Sequence, residues 1–286
     1  MKVAYVLYHI ARADFLERVR RYSFLLTLGF AGFVVLQAYT GHIYLSLGDY
    51  SGSASSAWFG AFLGLVAATF LSLTGFYIVK NTIQRDELTR VGRILAATPM
   101  TRLLYIAGKA LSNFAVLAAM VFVLALAATA MQLLRGHGGI DFWELLSPFI
   151  LLALPVMATV AALAVLFETL PILRGGVGNV AYFFLWSGLF STAFTVRALD
   201  FTGVSFLIQS MGAVVKKLDP SYHGAFTLQA GGAPTAAHRF QWDGLHWTSG
   251  MVLQRLLWVG VAIALTCLAA LFFRRFDPAR EAGQSR

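Results

Sequence analysis

Six long apolar runs dominate the chain: Phe24 to Ile43, Ala57 to Val79, Leu111 to Leu133, Leu145 to Phe167, Val177 to Val196 and Met251 to Phe273. A helix needs about 20 apolar residues to cross the hydrocarbon core of a bilayer, and these runs meet or nearly meet that length. They are continuous, as in Leu151-Leu152-Ala153-Leu154, and lack the alternation of a membrane β-barrel. The pattern predicts an all-α integral membrane protein of six transmembrane helices. Only Arg255 places a charge inside a run, about a turn from its start, where its long side chain is expected to reach the interface. Pro148 and Pro155 fall in the fourth run and predict a kink whose freed carbonyl is satisfied by neighbouring helices.

The segments between the runs carry their own patterns. Val3, Leu7, Ala11, Phe15, Val19 and Tyr22 form an i, i+4 ladder with most charges off it, which predicts a helix lying in the membrane interface over residues 1–23. Too much basic chain precedes the first run, and that run is too long, for a cleavable signal peptide. The connections 80–109 and 199–250 are too long to be turns. The second contains the loop signal Gly231-Gly232-Ala233-Pro234, and its early part, Phe201 to Val215, is apolar enough to dip into the interface without spanning. Residues 24–273 thus read as one transmembrane domain followed by a short tail, 274–286, which holds no second domain.

Composition agrees. The 286 residues are 58% hydrophobic and 12% charged, against about a quarter charged in an ordinary soluble domain, so the surplus apolar surface faces lipid. With the N-terminus in the cytoplasm and six alternating spans, the inner segments hold 16 of the 22 basic and 7 of the 13 acidic residues. The whole formal excess of +9 then lies on the cytoplasmic side, as the positive-inside bias requires. Both termini and the 80–109 segment are expected in the cytoplasm, the 199–250 loop outside, and no nucleic-acid partner is needed. The single cysteine, Cys267, excludes an intramolecular disulfide and a cysteine metal cluster.

Candidate chemistry is sparse. Around Gly108-Lys109, Leu103 stands where a Walker A loop needs its first glycine and Ala110 replaces the hydroxyl residue. Gly176-Val177-Gly178-Asn179-Val180-Ala181 matches a loose dinucleotide fingerprint, but between two membrane spans it reads as a turn. His238, Asp243 and His246 share the 199–250 loop and form at most a weak metal site. No Gly-x-Ser-x-Gly turn and no mid-span carboxylate are found. The chain is therefore expected not to be an enzyme and to hold no cofactor.

The most informative segment is 80–109. Arg85 to Leu95 places Leu88, Val91 and Leu95 on one helical face with Arg90 and Arg93 off it, and Thr98-Pro99 opens a second helix through Arg102 and Lys109. Composition leaves two readings: a handle for a cytoplasmic partner, or a solvated loop whose arginines set topology.

In its order of parts the chain resembles the type-2 ATP-binding-cassette (ABC) exporter permeases. An interfacial N-terminal helix and six spans accompany Glu87, Leu95, Thr98-Pro99-Met100-Thr101-Arg102, Tyr105, Gly108 and Lys109. Phe167-Glu168-Thr169-Leu170-Pro171, Arg174-Gly175-Gly176-Val177-Gly178-Asn179 and Phe272-Phe273-Arg274-Arg275-Phe276-Asp277-Pro278 follow in order. The resemblance implies a multi-pass protein of a bacterial cytoplasmic membrane and a coupling helix docked on a separate cytoplasmic ABC ATPase, which binds ATP and Mg. Carried over, Arg85, Glu87, Arg90 and Arg93 are the polar contacts and Leu88 and Val91 the apolar ones, with a second contact around Glu168 and Arg174. It also implies a second permease copy or homologue completing a substrate path. Spans rich in Phe, Leu and Ala suit a lipid, peptide or hydrophobic drug as cargo. The Gly60-x-x-x-Gly64 motif permits a close helix contact. A different class, a non-transporting membrane scaffold or anchor of an ATPase-linked complex, fits the same residues without a substrate path.

Overall fold

The computed structural model describes residues 2–20, 22–92, 100–136, 138–223, 226–231 and 238–273, and these are mostly helical. In chain order come α1 (Lys2–Val19), α2 (Tyr22–Tyr39), α3 (Ser56–Val66), α4 (Ser72–Val79), α5 (Thr82–Leu88), α6 (Arg102–Arg135), α7 (Phe142–Pro148), α8 (Leu154–Thr169), α9 (Gly176–Thr192), α10 (Val204–Leu218) and α11 (Ser249–Phe272). One-turn π segments, Ala67–Leu71 and Phe149–Ala153, join α3 to α4 and α7 to α8.

Among the described residues, four helices are long and apolar enough to cross a membrane: Ser56–Leu88, Arg102–Arg135, Phe142–Thr169 and Ser249–Phe272. The α1–α2 pair, bent by 67° at its break, passes the same test when taken as one span. The first predicted run ends early, because the chain leaves α2 at Tyr39 and Ile43 already begins a strand. The fifth run forms α9, whose 17 residues reach about 26 Å at 1.5 Å per residue. The protein is thus a helical membrane protein.

It is not all-α. Ile43–Leu47 (β1), Tyr50–Gly52 (β2), Phe226–Ala230 (β3) and His238–Phe240 (β4) form a four-stranded sheet in the order β3-β1-β2-β4. Leu47 pairs with Tyr50, and the two-residue loop between them has Gly48 at φ 59°, the positive dihedral that tight hairpins need. β1 pairs antiparallel with β3 from Ile43↔Ala230 to Leu47↔Phe226, while β2 runs parallel to β4. The sheet joins two segments far apart in sequence, a partnership invisible in either alone. The apolar stretch Phe201 to Val215 is mostly helical. Most of it lies in α10, which buries Val204, Phe206, Leu207, Met211 and Val215 against the bundle. Beside the sheet, Asp219 accepts from Ser221 Oγ at 2.6 Å, and that bond holds its carboxyl below the usual range.

Arg255 does not reach for the interface. Its side chain is buried, donating to the Phe201 carbonyl at 3.0 Å and to the Asp200 carbonyl. The Asp200 carboxylate in turn accepts from Thr202 Oγ1 at 2.9 Å, Gly203 N at 2.6 Å and Ser205 N at 2.9 Å. Gly203 has φ +76°, and a Cβ there would meet the Leu152 and Arg255 side chains. This turn locks the long connection onto the last span.

The core centres on α8, which is buried almost all round from Pro155 to Thr169, as expected of a helix apolar on every face. Its π segment lies between Pro148 and Pro155, where missing N–H groups interrupt the i→i−4 ladder, and Leu154 N donates to the Phe149 carbonyl. The other π segment lies against it. There Thr69 Oγ1 donates to Leu65 O at 2.7 Å and Ser72 Oγ to Thr69 O at 2.7 Å.

The Gly60-x-x-x-Gly64 motif is used inside the chain. A Cβ on Gly60 would strike the Leu145 carbonyl, and one on Gly64 would lie 2.6 Å from Pro148 Cβ. Gly64→Ala is therefore expected to destabilise the bundle by about 1–3 kcal/mol through overpacking, measured as the shift in a thermal melt in detergent.

Candidate functional site

At the end of the bundle opposite the sheet, the chain leaves α4 through Lys80 in extended conformation and Asn81 at φ 70°. After this two-residue break α5 continues the same long helical stretch, Ser56–Leu88. The first N–H groups of any helix lack internal partners, and the Asn81 side chain makes no cap here. A remote carboxylate takes its place. Glu168, 1% exposed at the end of α8, accepts from Thr82 N at 3.0 Å, Thr82 Oγ1 at 2.9 Å, Ile83 N at 2.6 Å and Gln84 N at 3.4 Å. A negative charge at a helix N-terminus also meets its positive dipole end.

The turn after α8 folds back onto the same element. Arg174 Nε donates to the Glu168 carbonyl at 2.6 Å, and its guanidinium lies 3.2 Å from Glu87 Oε1. Lys80 Nζ donates to Gly175 O at 3.0 Å and to Asn179 Oδ1 at 2.9 Å, while Tyr77 Oη donates to Asn179 O at 3.1 Å. A Cβ on Gly178 would collide with the Leu173 carbonyl, so the glycines read as a loose nucleotide fingerprint serve tight packing at the start of α9. Farther along α9, Tyr182 stacks on Phe76 with ring centroids 3.8 Å apart and donates to the Ser72 carbonyl.

A second network binds α1 to the same place. Lys109 on α6 is 2% exposed and lies 2.7 Å from Asp14 Oδ2 and 2.6 Å from Asp86 Oδ2. Tyr105 Oη donates to Asp86 Oδ2 at 2.7 Å. Arg85 pairs with Glu17 at 2.7 Å and approaches Asp14 at 3.7 Å, and Arg18 donates to the Val79 carbonyl at 3.0 Å. The α1 ladder does turn inward through Ala11, Phe15 and Val19. Asp14 and Arg18 share that buried face, where buried charges are tolerable only when paired.

These bonds sort the sequence-predicted residues. Arg85 is engaged by α1, Glu87 by Arg174, and Glu168 is enclosed. Leu88 (77% exposed) and Val91 (42%) instead face outward with Arg90 between them. Arg90 sits at φ 60°, a left-handed conformation uncommon for arginine. Arg93 lies outside the described residues. The outcome is an apolar and basic tip at the end of the bundle, held from behind by α1, α6, α8 and the turn before α9. Sequence reasoning missed Asp14, Asp86 and Lys109 as one cluster; the signal was Asp14 and Arg18 falling beside the apolar ladder rather than opposite it.

Among the described residues no group of three or more His, Cys, Asp or Glu side chains is arranged to hold a metal ion, so His238, Asp243 and His246 do not converge on one. No protein-family model and no curated protein sequence matches the chain.

Proposed function

We propose that the protein is the permease subunit of an ABC exporter of the type-2 kind, with six spans and the α5 end in the cytoplasm. A separate cytoplasmic ATPase docks on the α5 tip and hydrolyses ATP, and a second permease copy or homologue completes the path for a hydrophobic or amphipathic cargo. The observation that carries this reading is the construction of α5 and the turn after it: exposed Leu88 ends a short helix whose root is fastened to three parts of the bundle, and exposed Arg90 and Val91 follow at once. The exposed Leu88 offers an apolar contact, and a rigid root transmits a push. The basic excess on the same side agrees with a cytoplasmic location.

ATP binding then closes the paired ATPases, and α5 carries that motion to α8 through Glu168 and to α6 and α1 through Asp86 and Lys109. Pull-down of the tagged chain from its native membranes, probed for a co-purifying ABC ATPase, tests the reading. Wild type is expected to retain the ATPase, and Leu88→Asp with Arg90→Glu and Arg93→Glu to weaken retention at least about 10-fold, as loss of an interface hot spot does. If wild type retains no ATPase, the reading fails; if it retains one whose turnover ignores every hydrophobic cargo, the scaffold role replaces transport.

A further inference from the structure

Between α6, α8 and α11 lies a laterally open groove of about 660 Å³. Its lining is apolar almost throughout, mixing small residues such as Ala158 with Phe114, Val259 and Ile263. On α11 it runs from Val252 to Cys267, about 22 Å at 1.5 Å per residue. That is longer than the ~15 Å acyl layer of a single leaflet. The length and apolar lining of the groove suit a hydrocarbon chain.

The polarity of the groove is one-ended. At the Cys267 end, the Thr266 hydroxyl is satisfied by the Ala262 carbonyl at 2.8 Å. At the Val252 end stands Arg255, 1% exposed, its Nε without a hydrogen-bond partner. Its guanidinium rests on two backbone carbonyls, and the Asp200 carboxylate nearby is taken up by Thr202, Gly203 and Ser205. Val252 also lies in the first turn of α11, where the helix dipole is positive. The Asp200 carboxylate offsets the guanidinium charge, and what stands open at this end of the apolar slot is the Arg255 Nε–H beside the first turn of α11.

We propose that this groove binds one anionic phospholipid, with an acyl chain along α11 from Val252 towards Cys267 and the phosphate at the Arg255 end. Hydrocarbon covers the apolar lining, and a headgroup oxygen accepts from the Arg255 Nε–H that hydrocarbon alone would leave without a partner.

The full chain in nanodiscs with equal mole fractions of phosphatidylglycerol and phosphatidylcholine tests this by two readouts. Native mass spectrometry after release is expected to find one phosphatidylglycerol retained about fivefold over phosphatidylcholine, the preference that one basic contact supports. Cys267, the single thiol, is expected to be alkylated by N-ethylmaleimide about fivefold more slowly with phosphatidylglycerol than in phosphatidylcholine alone. Ala158→Trp, which fills the groove, removes the retention. So does Ile263→Trp, at a residue 61% exposed on the groove wall, should the first variant misfold. Val180→Trp, exposed on α9, leaves it intact. Equal retention of both lipids, alkylation indifferent to lipid charge, or retention surviving both groove variants overturns the proposal.

Discussion

Glu168→Ala is expected to detach the root of α5 while the bundle stays folded. The carboxylate accepts three backbone N–H groups and one hydroxyl, and nothing else in its surroundings replaces it. Each buried donor left without a partner costs about 1–3 kcal/mol, so a local loss of roughly 3–5 kcal/mol follows even after relaxation. Hydrogen–deuterium exchange of the Thr82, Ile83 and Gln84 amides reads it directly, with acceleration on the order of 100-fold, while amides in the middle of α8 hold their protection. Glu168→Gln keeps one acceptor oxygen and is expected to fall between. Unchanged exchange at those three amides in Glu168→Ala would mean that α5 stands without the cap. Under the proposed function the same variant still binds the ATPase through Leu88 and Arg90, but uncouples its turnover from cargo.

Lys109→Met carries the second large effect. It removes the ammonium between Asp14 and Asp86 and leaves two carboxylates facing each other in a site that is 2% exposed at its centre. Breaking a buried ion pair by deleting one partner costs about 3–5 kcal/mol, whereas replacing the whole set by neutral residues is often nearly neutral. The single variant is expected to accumulate poorly and melt early. The triple variant Asp14→Asn, Lys109→Met, Asp86→Asn is expected to recover most of the loss, with Arg85–Glu17 still tying α1 to α5. Limited proteolysis of α1 separates the two outcomes: α1 is cut rapidly in the single variant and resists in the triple. A single variant as stable as wild type would show that the network contributes nothing net.

How far the residues alone predict this structure depends on the range of the interaction. The continuous apolar runs announce the four spans that pass on length and hydropathy, because burial in hydrocarbon needs only local composition. Of the ladder read as facing the membrane interface, Ala11 is buried and Phe15 and Val19 pack on the core, while Tyr22 opens α2 and is 85% exposed. The single helical face expected through Leu88 and Val91 is broken: α5 ends at Leu88 and the left-handed Arg90 separates the two, although both side chains are exposed. The sheet was not legible. Its Leu47-Gly48-Asp49-Tyr50 hairpin carries a local turn signal, but its outer partners lie some 180 positions downstream.

Charges were the hardest to place, since a side chain's chemistry does not say what it will meet. Arg255 read as a residue reaching for water, yet two carbonyls at the Asp200 turn hold it inside. Glu168 and Arg174 read as a surface for another subunit, while in the fold both clasp α5.

Composition and periodicity alone made this a helical membrane protein, and they read the segment after Lys80 as a short amphipathic handle. Hydrophobic transfer is additive along a chain, so a list of residues suffices to compute it. The handle's anchorage, by contrast, came from packing: a carboxylate from α8, an arginine from the following turn and a lysine from α6 each had to arrive within about 3 Å of a partner tens of residues away. Hydrogen bonds and ion pairs act over such short distances that they exist only once the chain has folded.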